Sequence, residues 1–220
     1  MKDSSPTSVE LFVATGCSHC PLVLKELSEQ LKIGTIAELT VVNIAVDNTR
    51  AEQLNVRSVP WFSLSNNHSF MIFSGNYSPK EIQDWLQKAE NTNGMNDYIE
   101  ENLSNGELMT VAQAINIQPT VLSSVIAMLG DEETSMDIRI GLDVLIEQFS
   151  GSKILQSYTE QLKKIVLSNV VRLQIDALHY IALTGDIKNK SFLLEQAENT
   201  NPQIKEAALE AIETLNDLID

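Results

Sequence analysis

Apolar residues over the first 90 positions come either in short dense runs or at helical spacing. Residues 9–14, with Val9, Leu11, Phe12 and Val13, form a compact apolar run and predict a buried strand. Residues 21–32 carry Leu22, Val23, Leu27 and Leu31 at helical spacing, with Pro21 in the first turn, where its missing N–H costs little. The β-branched run at residues 39–46 predicts a second strand, and one intervening helix makes the pair a parallel βαβ unit. A short helix is expected at residues 49–55. Residues 56–64 then lead through Val59-Pro60 into a third strand, and Phe70-Met71-Ile72-Phe73 follows the Asn66-Asn67-His68 turn as its antiparallel partner. Ser78-Pro79-Lys80-Glu81 reads as a helix start, with Ser78 as N-cap, Pro79 at the first helical position and Glu81 closing a capping box. The helix it opens, residues 79–89, is expected to bury Ile82, Trp85 and Leu86. The resulting order is β-α-β-(α)-β-β-α.

The pattern then changes. Residues 91–96 are polar, contain Gly94 and show no period, so they read as a linker between a domain at residues 1–90 and a helical one at residues 97–220. Residues 97–117 are mostly helical in pattern, with a break at Asn105-Gly106. Beyond them the chain repeats: helical segments starting at Ile138, Val171 and Ile204 are 33 residues apart each time. Apolar residues recur at Ile138/Val171/Ile204, Leu142/Ile175/Ala208 and Leu145/Leu178/Ala211, the spacing of one helix face. Each follows another helical stretch, at residues 119–129, 152–167 and 189–199. Helix pairs at a fixed period are the signature of an α-solenoid.

A chain of 220 residues accommodates one or two domains, and 43% hydrophobic residues is ordinary for a soluble protein. No apolar run approaches the length of a membrane span, and residues 1–8 are polar, without the apolar segment of a secretory signal. The expected compartment is therefore the cytoplasm, where a lone cysteine pair is more often catalytic than structural. Residues 1–93 carry 7 Lys and Arg against 10 Asp and Glu, and residues 94–220 carry 8 against 20, so most of the net −15 lies in the helical half. That argues against a nucleic-acid partner, whose phosphates need a basic surface. The acidic half either steers a basic protein partner or only keeps the chain in solution.

The candidate chemistry lies in Cys17-Ser18-His19-Cys20-Pro21, between the first strand and the first helix. Two cysteines at this spacing fit the first turn of one helix, where free amides and the helix dipole favour a thiolate on the first sulfur. A strand–CxxC–helix order points to redox chemistry. The alternatives are half a zinc site or a pair of inert cysteines. Zinc needs four ligands in a structural site, and the chain has 2 cysteines and 3 scattered histidines, His19, His68 and His179.

These residues together make residues 8–90 resemble the thioredoxin fold in its compact, glutaredoxin-like form. The resemblance rests on the CxxC at a strand-to-helix junction, Val59-Pro60 before the third strand, Gly75 after the fourth, and the closing helix through Trp85. It implies a cis Val59–Pro60 bond beside the CxxC and a Val59 backbone that pairs with a substrate chain. It implies that Cys17 attacks a substrate disulfide and that Cys20 resolves the mixed disulfide. His19 is similar to the histidine of the Cys-Gly-His-Cys motif of protein disulfide isomerases. It either stabilises the Cys17 thiolate or is an exposed loop residue. Thr15-Gly16 stands where thioredoxins have tryptophan, Ser18-His19 replaces Gly-Pro, and Leu11 falls near the position of thioredoxin's buried aspartate. The Cys-x-x-Cys-Pro-Leu pattern looks closer to archaeal-type protein disulfide oxidoreductases and to the redox domains of peroxide-reductase flavoproteins. Trp61 is either an apolar substrate contact beside the site or core.

The C-terminal segment resembles HEAT-like repeats. Arg139, Arg172 and Lys205 match a basic residue common early in the second helix of that repeat, and Asp143 and Asp176 a common acidic one. His179 is expected to be a packing residue. The expected architecture is thus an α/β thioredoxin-like domain followed by an all-α HEAT-like solenoid. The expected function is thiol–disulfide exchange on a protein substrate, with Cys17 and Cys20 catalytic. Ser18, His19, Val59, Pro60, Trp61 and Gly75 frame the substrate groove, and a protein partner docks on the repeats. No metal, flavin or nucleotide is implied, since no Gly-rich phosphate loop is present. The alternative is a redox-responsive adaptor or chaperone whose repeats do the binding.

Overall fold

The computed structural model describes residues 6–219. Of the polar start at residues 1–8, the first five residues lie outside the described residues, as does Asp220. The chain divides into two compact units, one of residues 1–102 and 109–121, the other of residues 103–108 and 122–220.

The first unit runs β1 Thr7–Val13, α1 Cys20–Ile33, β2 Ile36–Asn43, α2 Thr49–Gln53, β3 Trp61–Ser65, β4 Phe70–Ser74 and α3 Pro79–Ala89, the order the sequence predicts. The strands form one mixed sheet in the order β2-β1-β3-β4, parallel between β1 and β2 and antiparallel elsewhere. Leu11, Phe62 and Phe73 pair across three strands, and Phe62 and Phe73 stack at 4.9 Å. Trp85 of α3 closes on Phe73 at 5.4 Å, so this aromatic layer fixes α3 to the sheet. The Ser78 cap is present: the Glu81 N–H donates to Ser78 Oγ at 3.3 Å, and the Ser78 N–H donates to Glu81 Oε2 at 2.7 Å. These bonds hold the Glu81 carboxyl below its usual pKa.

Three details differ from the sequence reading. β2 lies three residues earlier than expected, because the Asn43 side chain accepts from Ala45 N–H at 3.0 Å and turns the chain, leaving Val46 exposed. The buried face of α1 is Cys20, Val23, Leu27 and Gln30, whereas Leu22 and Leu31 are exposed. Gln30 is tolerated there because its amide donates to Glu26 at 2.8 Å, and Gln83 of α3 donates to the same oxygen at 2.7 Å. Trp61 is core: it pairs with Phe12, meets that ring edge-on at 5.3 Å and is 3% exposed.

The stretch expected to be a linker is a tight corner. Helix α4, Gly94–Ser104, starts inside it, and α5, Leu108–Ile117, follows a break at the expected place. A Cβ on Gly94 would stand 1.9 Å from the Lys88 carbonyl oxygen, so only glycine fits. The corner drives Tyr98 of α4 against β4, the last strand of the sheet. The Tyr98 hydroxyl donates to the Ile72 carbonyl at 2.9 Å and accepts from the Ile72 N–H at 3.1 Å, satisfying an otherwise open strand edge. From α5, Gln113 donates to the Leu54 carbonyl at 2.7 Å. The α/β unit therefore holds most of α4 and α5, which the sequence reading assigned to the helical domain.

The second unit contains α6 Val121–Leu129, α7 Met136–Glu147, α8 Lys153–Gln156, α9 Thr159–Val166, α10 Val171–Leu183, a 3₁₀ turn Ile187–Asn189, α11 Lys190–Gln196 and α12 Pro202–Ile219. Helices occur at the 33-residue spacing; α10 packs against both α9 and α12, and α11 packs against α12. Consecutive pairs are tied at corresponding positions: Gly151 N–H (2.8 Å) and Ser150 Oγ (3.3 Å) both donate to the Leu183 carbonyl at the end of α10. The three matched basic residues behave differently. Arg172 and Lys205 are exposed, whereas Arg139 is buried and donates to the carbonyls of Leu129 (2.9 Å), Thr134 (3.2 Å) and Asp131 around the end of α6. His179 is exposed on the rim.

Asp143 accepts a hydrogen bond from the Tyr180 hydroxyl, and burial raises the Tyr180 pKa. Half-buried Asp176 has its carboxyl pKa raised, first by desolvation and then by Asp143, against the opposing pull of Arg139, Arg172 and His179.

Two outcomes follow from this packing. Tyr98→Phe leaves the Ile72 N–H and carbonyl unpaired, and we expect a loss of about 1–3 kcal/mol in urea unfolding; an unchanged midpoint contradicts the edge-sealing role. For Asp176 the folded pKa lies above the unfolded one, so stability falls as pH rises from the usual 3.8 through the raised value. Asp176→Asn is accordingly expected to raise the melting temperature at pH 7 and to give no gain at pH 3. Equal gains at both pH values contradict that assignment.

Candidate redox site

The loop between β1 and α1 is shaped by backbone geometry. Cys17 N–H donates to the Ala14 carbonyl at 3.2 Å, closing a turn whose third residue, Gly16, has φ +85°. No side chain adopts that conformation cheaply, so glycine sets the height at which Cys17 leaves the strand. α1 starts at Cys20 rather than before it, with His19 as N-cap residue. Cys17 therefore sits just outside the helix and Cys20 at its first position, a correction to the expectation that both lie on the first turn.

The two cysteines are bonded to each other, with Cα atoms 5.5 Å apart. Cys17 is half-buried, while Cys20 is only 4% exposed. The donors at the helix start divide in a way that singles out Cys17. Pro21 has no N–H, and the amides of Leu22 and Val23 point to the His19 carbonyl at 3.1 and 3.5 Å. The Cys20 amide remains, and it points at Cys17 Sγ at 3.1 Å. An amide so placed, at the positive end of the α1 dipole, favours negative charge on the outer sulfur.

Across the site, the Val59 carbonyl oxygen is 3.7 Å from Cys17 Sγ. The Val59–Pro60 peptide is cis, as the resemblance implies. Its loop is fastened to the end of β4 twice: Gly75 N–H donates to the Pro60 carbonyl at 2.9 Å, and the Ser58 and Ser74 hydroxyls share a hydrogen bond at 2.7 Å. The fold thus brings Cys17, Cys20, Val59, Pro60 and Gly75 together from three separate parts of the chain. Ser18 and His19 lie exposed in the loop between the cysteines, and the His19 side chain does not cap the helix. Trp61 drops out of the site into the core.

Two features escaped the sequence reading. The Cys20 amide is a backbone donor and leaves no mark on residue identity, although Pro21 beside it was a usable signal. Leu22 falls on the apolar face read from the sequence, yet it is 42% exposed two residues past Cys20.

No model of a known protein family matches the chain, and no curated protein matches it. Among the described residues no helix is long and apolar enough to cross a membrane. Among the same residues no three or more His, Cys, Asp or Glu side chains gather as a metal site. The close Cys17–Cys20 pair is compatible with redox chemistry.

Proposed function

We propose that the chain is a thiol–disulfide oxidoreductase with a thioredoxin-like α/β unit and a HEAT-like helical unit that docks protein partners. The reading is carried by the Cys20 amide at Cys17 Sγ, which makes the accessible sulfur the better thiolate and leaves the buried one as resolver. In the reducing direction, the Cys17 thiolate attacks one sulfur of a substrate disulfide. The Cys17–substrate bond forms, and the other substrate sulfur leaves as a thiolate that takes up a proton. Cys20 then gives up its proton and attacks Cys17 Sγ, the Cys17–Cys20 bond forms, and the second substrate thiolate leaves. Two electrons pass from the cysteine pair to the substrate. The reverse sequence oxidises a substrate dithiol, and the relative reduction potentials set the direction.

The Val59 backbone flanks the sulfur, held in place by the Gly75 amide on the Pro60 carbonyl, which suits an extended substrate segment, and exposed Leu22 suits an apolar side chain on it. The mixed sheet order and the βαβ-ββα sequence support the thioredoxin-like assignment. The helix pairs at a 33-residue period support the solenoid. A lone cysteine pair that cycles rather than staples fits a cytoplasmic location.

The test uses the full chain, dithiothreitol as electron donor and a labelled peptide disulfide. The wild-type chain is expected to turn over many equivalents. Cys17→Ser abolishes turnover, and reduced Cys20→Ser, mixed with the peptide disulfide after the dithiothreitol is removed, is trapped as a one-to-one adduct through Cys17 that added reductant releases. Turnover that survives Cys17→Ser, or the lack of any adduct with Cys20→Ser, contradicts the reading. Binding of a protein client by the cysteine-free chain, with no turnover by the wild type, replaces it by the adaptor reading.

A further inference from the structure

The second unit leaves one helix face uncovered. Met136, Ile140 and Val144 fall at i, i+4 and i+8 along α7, and they are 59%, 58% and 42% exposed. The buried side of α7 is accounted for by Ile138, Leu142, Leu145 and Ile146. The repeat supplies two internal comparisons for the outer stripe. The residues of α10 equivalent to Ile140 and Val144 are Leu173 and Ala177, both buried in a helix packed by α9 and α12. Those of α12 are Glu206 and Glu210, both exposed, which is how these positions look when they face water. α7 combines the apolar residues of the first case with the exposure of the second.

The charges around the stripe identify what covers it. Residues 131–147 hold six acidic residues, Asp131, Glu132, Glu133, Asp137, Asp143 and Glu147, against one base. That base, Arg139, is buried on three backbone carbonyls. The equivalent residues 164–180 hold Lys164 and Arg172 against Asp176. Asp137 and Glu147 are exposed, and each stands three residues from Ile140 or Val144, on the same side of the helix. A second copy of the chain is disfavoured on this face, because acids would meet acids, and an anionic lipid surface is repelled.

We propose that this face of α7 docks a basic amphipathic helix of a partner protein, its apolar side on Met136, Ile140 and Val144 and its Lys or Arg residues on the acidic rim. A ridge of three side chains along a helix matches a partner helix laid beside it. The inference rests on the docking role proposed for the helical unit and makes no use of the cysteine chemistry.

The probe is a labelled helical peptide of Leu and Lys alone, compared with one of Leu and Glu, titrated against the full chain by fluorescence anisotropy. The Leu/Lys peptide is expected to bind, more weakly as salt rises, and the Leu/Glu peptide is not. Ile140→Asn, at an exposed position, weakens binding about tenfold or more. Asp137→Asn with Glu147→Gln flattens the salt dependence, and Leu218→Asn on α12 changes nothing. Unfolding midpoints confirm that the variants fold. No binding of the Leu/Lys peptide, equal binding of the Leu/Glu peptide, or insensitivity to Ile140→Asn overturns the assignment. Turnover of a peptide disulfide, measured on the same samples, separates the two readings. Loss of Ile140-dependent binding with turnover intact removes only this face, and loss of turnover with that binding intact removes only the redox reading.

Discussion

At the start of α1 a single backbone amide, that of Cys20, points at the sulfur of Cys17. Its availability depends on two neighbours: Pro21 removes one competing donor, and the His19 carbonyl takes up the next two. Three further features set the position of that sulfur. The left-handed turn at Gly16 lifts the chain off β1, Cys20 is buried at the helix start, and the Val59–Pro60 loop walls the opposite side. A close cysteine pair at a helix start, with an amide on the outer sulfur and backbone on its flank, is compatible with redox chemistry.

The sheet that carries this site is sealed by residues beyond the obvious α/β segment. Tyr98 reaches from α4 to satisfy both backbone groups of Ile72, and Gly94 is the one residue that permits the turn bringing it there. An open β4 edge would offer a template for pairing with another chain. The α/β unit is thus larger than its strands and first three helices, and the helical unit starts later than composition suggests. In the helical unit the end of α10 is tied back to the segment after α7, where Ser150 and Gly151 bond the Leu183 carbonyl.

Features set by local chemistry were legible in the sequence. Ser78-Pro79-x-Glu81 carries its own cap, the 33-residue period carries its own helices, and the CxxC carries its own position between strand and helix. Features set by tertiary contact were not. Leu22 is more apolar than Gln30, yet Gln30 is inside because Glu26, itself held by Gln83, accepts from its amide. Trp61 beside Pro60 is ambiguous in one dimension and is decided by its pairing with Phe12. A polar stretch such as residues 91–96 hides a tight corner, because close approach depends on the Lys88 carbonyl and not on neighbours in sequence. Arg139, Arg172 and Lys205 are equivalent in the repeat, but only the first has carbonyls converging on it.

The inequality of the two sulfurs can be measured on the reduced full-length chain by alkylation with iodoacetamide across pH, with modified sites assigned by mass spectrometry. Stabilisation of the Cys17 thiolate by the Cys20 amide predicts that Cys17 is modified first and Cys20 hardly at all. It also predicts a midpoint for Cys17 below the ordinary thiol value of about 8.5. Equal rates at the two cysteines, or a Cys17 midpoint at or above that value, would contradict it.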